Sequence, residues 1–108
     1  MTVEKATYVD DLNVDVTISY TCAKGEAKGV LVSVSQTDPA LDEENGVGDA
    51  GGSNSTEKIT CKGKPQSVTL RVNNSGQDEF AHPGAGDVRA TIYGSNGVIK
   101  DNKKNLTW

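Results

Sequence analysis

Eleven consecutive residues, LNVDVTISYTC from Leu12 to Cys22, alternate apolar and polar side chains without a break. Leu12, Val14, Val16, Ile18, Tyr20 and Cys22 fall on one side of an extended chain, and Asn13, Asp15, Thr17, Ser19 and Thr21 on the other. Successive side chains of a strand point to opposite faces, so this run makes a strand with one buried and one wet face, the pattern of an antiparallel sheet. Cys22 ends the run on the side read as buried.

The same period of two continues along the chain. VLVSVSQ places Val30, Val32 and Val34 on one face, QSVTLRV places Val68, Leu70 and Val72, and DVRATIY places Val88, Ala90 and Ile92. EKITC, with Ile59 and Cys61 inward, reads as a further strand. VEKATYV reads as an edge strand and VIKDNKKNLTW as the last one, with Asn96-Gly97 turning the hairpin before it. PALDEE is compatible with a single helical turn capped by Asp38, and no longer helical period is present. About seven short strands with turns between them predict an all-β fold, an immunoglobulin-like or fibronectin-like antiparallel β-sandwich in one domain over residues 1–108. A small Greek-key barrel is the alternative.

Two cysteines, Cys22 and Cys61, form no CxxC, and with His82 as the only histidine they do not supply a zinc site. Three states fit the pair: a disulfide, two buried thiols, or a redox couple. The redox couple lacks its usual setting, a helix N-terminus or a cationic nest. A bridge would close a loop spanning 39 residues, for which chain entropy gives about 4 kcal/mol. It would also imply an oxidising compartment, hence a secreted or cell-surface protein. Met1 followed by TVEKATYV shows no signal-peptide pattern and reads as a start placed ahead of a mature domain.

Composition narrows the partners. The net charge of −4 and basic residues dispersed in sequence argue against nucleic acid, which needs a clustered cationic face. KDNKK at 100–104 reads as a solvated hairpin tip. No apolar run is long enough to span a membrane.

ISYTCAKGEAKGVLVSVSQ and, further on, ITCKGKPQSVTLRV, together with FAHPGAGDVRA from Phe80 to Ala90, resemble small exported proteins of actinobacteria. The resemblance implies an immunoglobulin-like sandwich, export and a Cys22–Cys61 bridge. It implies no catalytic residue. The immunoglobulin pattern of a Trp between the two cysteines is absent, since Trp108 is terminal.

Candidate sites lie in the loops. The segment 37–56 carries Asp38, Asp42, Glu43, Glu44 and Asp49 among glycines and asparagines, oxygen ligands of the kind calcium takes. DEENG misses the EF-hand spacing, so a solvated acidic loop is the plainer reading and no metal or cofactor is expected. His82 in AHPG reads as an exposed turn residue, not a general base, and no catalytic residue is assigned. Tyr8, Tyr20, Tyr93 and Trp108 are the aromatics that a sugar platform could use, and Tyr93 is the one placed on an outer face. Sequons at Asn54, Asn73 and Asn105 read as incidental. The sequence thus predicts a monomeric, non-catalytic module that binds a protein or carbohydrate. A small-ligand, sugar or calcium binder using the acidic loop or exposed aromatics is the alternative. Because loops on rigid sandwiches carry binding, the segments 37–56 and 73–86 are the surfaces of interest.

Overall fold

A computed structural model describes residues 1–38, 48–75, 79–80 and 84–108. Seven strands form two antiparallel sheets. They are β1 (Thr2–Asp10), β2 (Asn13–Tyr20), β3 (Gly29–Asp38), β4 (Gly48–Thr56), β5 (Gln66–Asn73), β6 (Ala85–Gly94) and β7 (Gly97–Thr107). One sheet has the order β1-β2-β5 and the other β4-β3-β6-β7. The fold is a β-sandwich, with β1 at a sheet edge as its weaker pattern predicts.

The alternating residues meet between the sheets. Val14, Val16 and Ile18 of β2, with Leu70 and Val72 of β5, are buried opposite Val30, Val32 and Val34 of β3 and Val88, Ala90 and Ile92 of β6. At about 25 cal/mol per Å² of apolar surface removed from water, such aliphatic burial is the main favourable term of folding. Cys22 is buried and joined to Cys61, with Cα atoms 4.8 Å apart.

Two elements differ from the sequence reading. EKITC forms no strand: residues 58–61 are irregular, although Ile59 and Cys61 still pack against the core. Tyr20 and Cys22 supply the partners a neighbouring strand would have given. The Thr60 amide donates to the Tyr20 hydroxyl at 3.2 Å, and the Gly63 amide to the Cys22 carbonyl at 2.8 Å. Conversely, GDAGGSNST, read as loop, is β4. It pairs with β3 in continuous register, Ala50 opposite Gln36 and Gly52 opposite Val34. The Asn73 carbonyl of β5 lies so close to Gly52 that a Cβ there would strike it, which explains a strand made of small residues.

The sandwich is tied at both sides. Asn54 Nδ2 of β4 donates to the Arg71 carbonyl of β5 at 2.9 Å, and the Val3 amide of β1 donates to Asn102 Oδ1 of β7 at 2.9 Å. Residues 100–104, read as a hairpin tip, instead run along β7, an edge strand. Charges along an edge discourage pairing with another chain.

Candidate functional site

Strand directions sort the connections onto two ends. β3 ends and β4 begins where β5 ends and β6 begins, and the β1–β2 turn lies there too. The two long segments of interest therefore leave and rejoin the sandwich at one end. Residues 21–28, residues 57–65 and the β6–β7 turn occupy the other, together with the disulfide.

The loop end is built around Asp10, Asp11 and Leu12. Asp10 Oδ1 accepts from the Leu12 amide and from Asn13 Nδ2, and these bonds hold its carboxyl below the ordinary carboxylate range. The Tyr8 hydroxyl donates to Asp11 Oδ1. That bond first, then burial and the charges of Asp11, Asp10 and Glu79, pushes the Tyr8 phenol up to about 12. Backbone bonds fasten the chain after β5 to its neighbours. The Asn74 amide donates to the Leu12 carbonyl at 2.8 Å, Ser75 to Gly51 at 2.7 Å and Phe80 to Asp11 at 2.9 Å. Leu12, on the face read as buried in the sequence, is instead 57% exposed because the chain turns there ahead of β2, and exposed Val9 lies three residues before it.

Of the residues singled out in the sequence, Asp38 closes β3 opposite Gly48, and Asp49 of β4 lies opposite Thr37, so both sit at this end. Asp42, Glu43, Glu44 and His82 lie outside the described residues. Among the described residues no three His, Cys, Asp or Glu side chains gather to hold a metal ion.

The aromatic side chains are not brought to one face. Tyr20 and Trp108 are buried. Tyr8 belongs to the smaller sheet and Tyr93 to the larger. Tyr93 is opposite Gly29 in register, and its ring covers that residue. Two open hollows, of about 190 and 340 Å³, lie near the disulfide end. The first is lined by no carboxylate and the second by one, Glu26.

Ion pairs form on the sheet faces, and unpaired lysines gather at one end. Arg71 pairs with Asp15, its register partner, at 2.9 Å, and Arg89 pairs with Asp101 at 2.7 Å. The hydrogen bond from Arg89 is the main reason the Asp101 carboxyl sits below its usual range. At the disulfide end stand Lys24, Lys28, Lys58, Lys62, Lys64 and Lys100, all exposed. Dispersed in sequence, these six are gathered because the bridge joins 21–28 to 57–65 and Lys100 Nζ donates to the Thr21 carbonyl at 2.8 Å. That gathering corrects the dispersed picture drawn from sequence, where no local run marks it.

No protein-family model matches the chain, and no curated protein matches it.

Proposed function

We propose that this chain is a non-catalytic, exported binding module that presents its loop end to a protein partner. The observation that carries this reading is the convergence of the β1–β2 turn and both long connections on one end. Backbone bonds from Asn74, Ser75 and Phe80 brace the described part of it. A rigid sandwich supporting loops is the arrangement in which binding residues concentrate. Tyr8, Val9 and Leu12 supply apolar contact among the carboxylates of Asp10, Asp11 and Glu79, and tyrosine is among the residues that most often anchor protein interfaces. Export is supported by the disulfide, which persists in oxidising compartments.

The test is site-directed photo-crosslinking on producing cells. A photo-reactive residue at Leu12 is expected to trap a discrete protein adduct on the outside of the cell. The same residue at Ser53, exposed on β4, is expected to trap none. Equal adducts from both positions, or none from Leu12, would overturn the assignment of the loop end.

A further inference from the structure

The six lysines at the disulfide end are opposed there by three acids, Glu26 and Glu57 of the loops and Glu4 of β1, whose Oε1 accepts from Ser19 Oγ at 2.6 Å. Glu26 is turned into its own loop, where Oε2 accepts from the Ala23 amide at 2.7 Å. Among the described residues none of the six lysines reaches a carboxylate within 4.0 Å; Arg71, Arg89 and Lys103 do so, and Lys5 and Lys104 do not. The cluster is also fixed in place. Cys22 lies two residues from Lys24 and is bonded to Cys61, which precedes Lys62. The Gly63 amide, between Lys62 and Lys64, donates to the Cys22 carbonyl, and Lys100 is anchored one residue away on Thr21. At the opposite end Asp10, Asp11 and Glu79 are exposed, and no lysine or arginine occurs in residues 9–13 or 73–86. Six of the eleven basic residues thus stand at the disulfide end, five lie along the strands, and the β1–β2 turn at the opposite end carries acids alone.

We propose that the lysine end docks on an anionic lipid surface, with the strands upright and the loop end facing away. An extended negative plane attracts one end of such a molecule and repels the other, so the charge segregation sets the orientation as well as the attraction. The lysine end is built from loops around a hairpin tip, and Val98, 66% exposed beside that tip, is available to the headgroup layer. Residues 21–28 and 57–65 contain no aromatic residue, and the half-buried Tyr93 nearby is packed over Gly29, so the lysine loops offer no platform for stacking on nucleobases. They contain no arginine or large aromatic residue of the kind that anchors protein interfaces. Lysines act on phosphate as point charges, and each lysine close to an anionic bilayer surface adds about 1 kcal/mol of attraction. This inference is independent of the loop-end contact, which uses the opposite end.

Cosedimentation with phosphatidylcholine vesicles, with and without phosphatidylserine, tests it on the intact disulfide-bonded chain. Binding is expected only with phosphatidylserine, and is expected to weaken as salt rises. The variant Lys62→Gln/Lys64→Gln is expected to bind roughly thirtyfold more weakly, and Lys24→Gln/Lys100→Gln similarly. These exposed positions leave the core intact, and an unchanged melting temperature verifies it. In separate variants, an environment-sensitive dye on Val98→Cys is expected to shift to the blue on binding, and one on Leu12→Cys is not. The proposal is overturned by an absence of lipid-dependent binding at low salt, by lysine variants that bind as before, or by burial of the Leu12 dye. Soluble inorganic polyphosphate binding as tightly as the vesicles would overturn it too, by making the partner a polymer in solution.

Discussion

The ring of Tyr93 lies across Gly29, its register partner on β3, so closely that no side chain fits beneath it. A Cβ at Gly29 would stand 2.7 Å from Tyr93 Cζ and 2.7 Å from the Thr56 carbonyl oxygen. The half-buried tyrosine is therefore part of the packing at this end of the larger sheet, which weakens the case for it as an isolated sugar contact. Gly29→Ala is expected to lose about 1–3 kcal/mol in urea unfolding, the usual range for overpacking. Adding Tyr93→Ala relieves the ring but not the Thr56 carbonyl, so part of the penalty persists. A Gly29→Ala variant as stable as the parent would show that the ring moves aside freely.

The disulfide holds a segment that has no strand of its own. Residues 57–65 connect β4 to β5 and are attached through Cys61, Thr60 and Gly63 to the end of β2. Cys22→Ser/Cys61→Ser is expected to lose about 4 kcal/mol, the entropy of the closed loop. Domains of this kind have about 5–15 kcal/mol in total, so the melting temperature should fall steeply. Amide exchange at Thr60 and Gly63 is expected to accelerate before exchange in β2 and β5. Unchanged protection at those two amides would show that hydrogen bonds alone hold the segment.

The legible strands are those that bury a full apolar face. β2, β3, β5 and β6 carry valine, leucine and isoleucine at alternate positions because a sheet packs on each of them. β4 is illegible for the opposite reason: its inward positions include Ala50 and Gly52, kept small by the close passage of β5. EKITC has the alternation of a strand, yet its apolar residues reach the core from irregular backbone held by Tyr20 and the bridge. Asn102 of β7 gives no periodic signal because its side chain serves the Val3 amide of another sheet. The lysine cluster is illegible because it depends on which loops share an end, which is settled by strand pairing and by Cys22–Cys61. The loop end is legible in part. The long polar segments stand out in the sequence, but their convergence on Asp10, Asp11 and Leu12 requires the register.

Tyr8 supplies a prediction in the alkaline range. Its phenol is raised to about 12 because the neutral hydroxyl donates to Asp11 and because an anion would face Asp11, Asp10 and Glu79. A raised value means that the folded state favours the protonated form. The resulting stability is fully present below the ordinary tyrosine pKa of about 10 and is lost as pH rises through about 12. Absorbance titration is expected to show a late phenol that moves toward the ordinary value in Asp11→Asn. A late phenol unchanged in that variant would place the cause elsewhere.

Asp101 supplies the acid counterpart. The bidentate bond from Arg89 and the bond from Thr91 favour its charged form. A lowered value contributes stability above the ordinary aspartate pKa of about 4, and that contribution is lost as pH falls through the folded value. Carboxyl NMR titration is expected to show Asp101 protonating later on acidification than an ordinary aspartate, and at higher pH in Arg89→Gln. Because the pair is exposed, solvent screens it and its contribution to stability at neutral pH is expected to be small.

Trp108 closes the sandwich at the loop end. Its amide and carbonyl exchange hydrogen bonds with Gly84 at 2.9 and 2.8 Å, so the β6–β7 pairing continues one residue beyond both strands. The indole meets Phe80 edge to face at a centroid distance of 6.1 Å and covers Gly86, where a Cβ would strike the ring. Edge-to-face geometry is favourable beyond the area it buries. Trp108→Ala is therefore expected to lose about 3–5 kcal/mol, the range for truncating a large buried aromatic. As the only tryptophan, Trp108 also reports its own environment: its emission should be blue-shifted in the native state and move to the red on unfolding. Native emission already at the solvent value would show that the indole is not packed on Phe80.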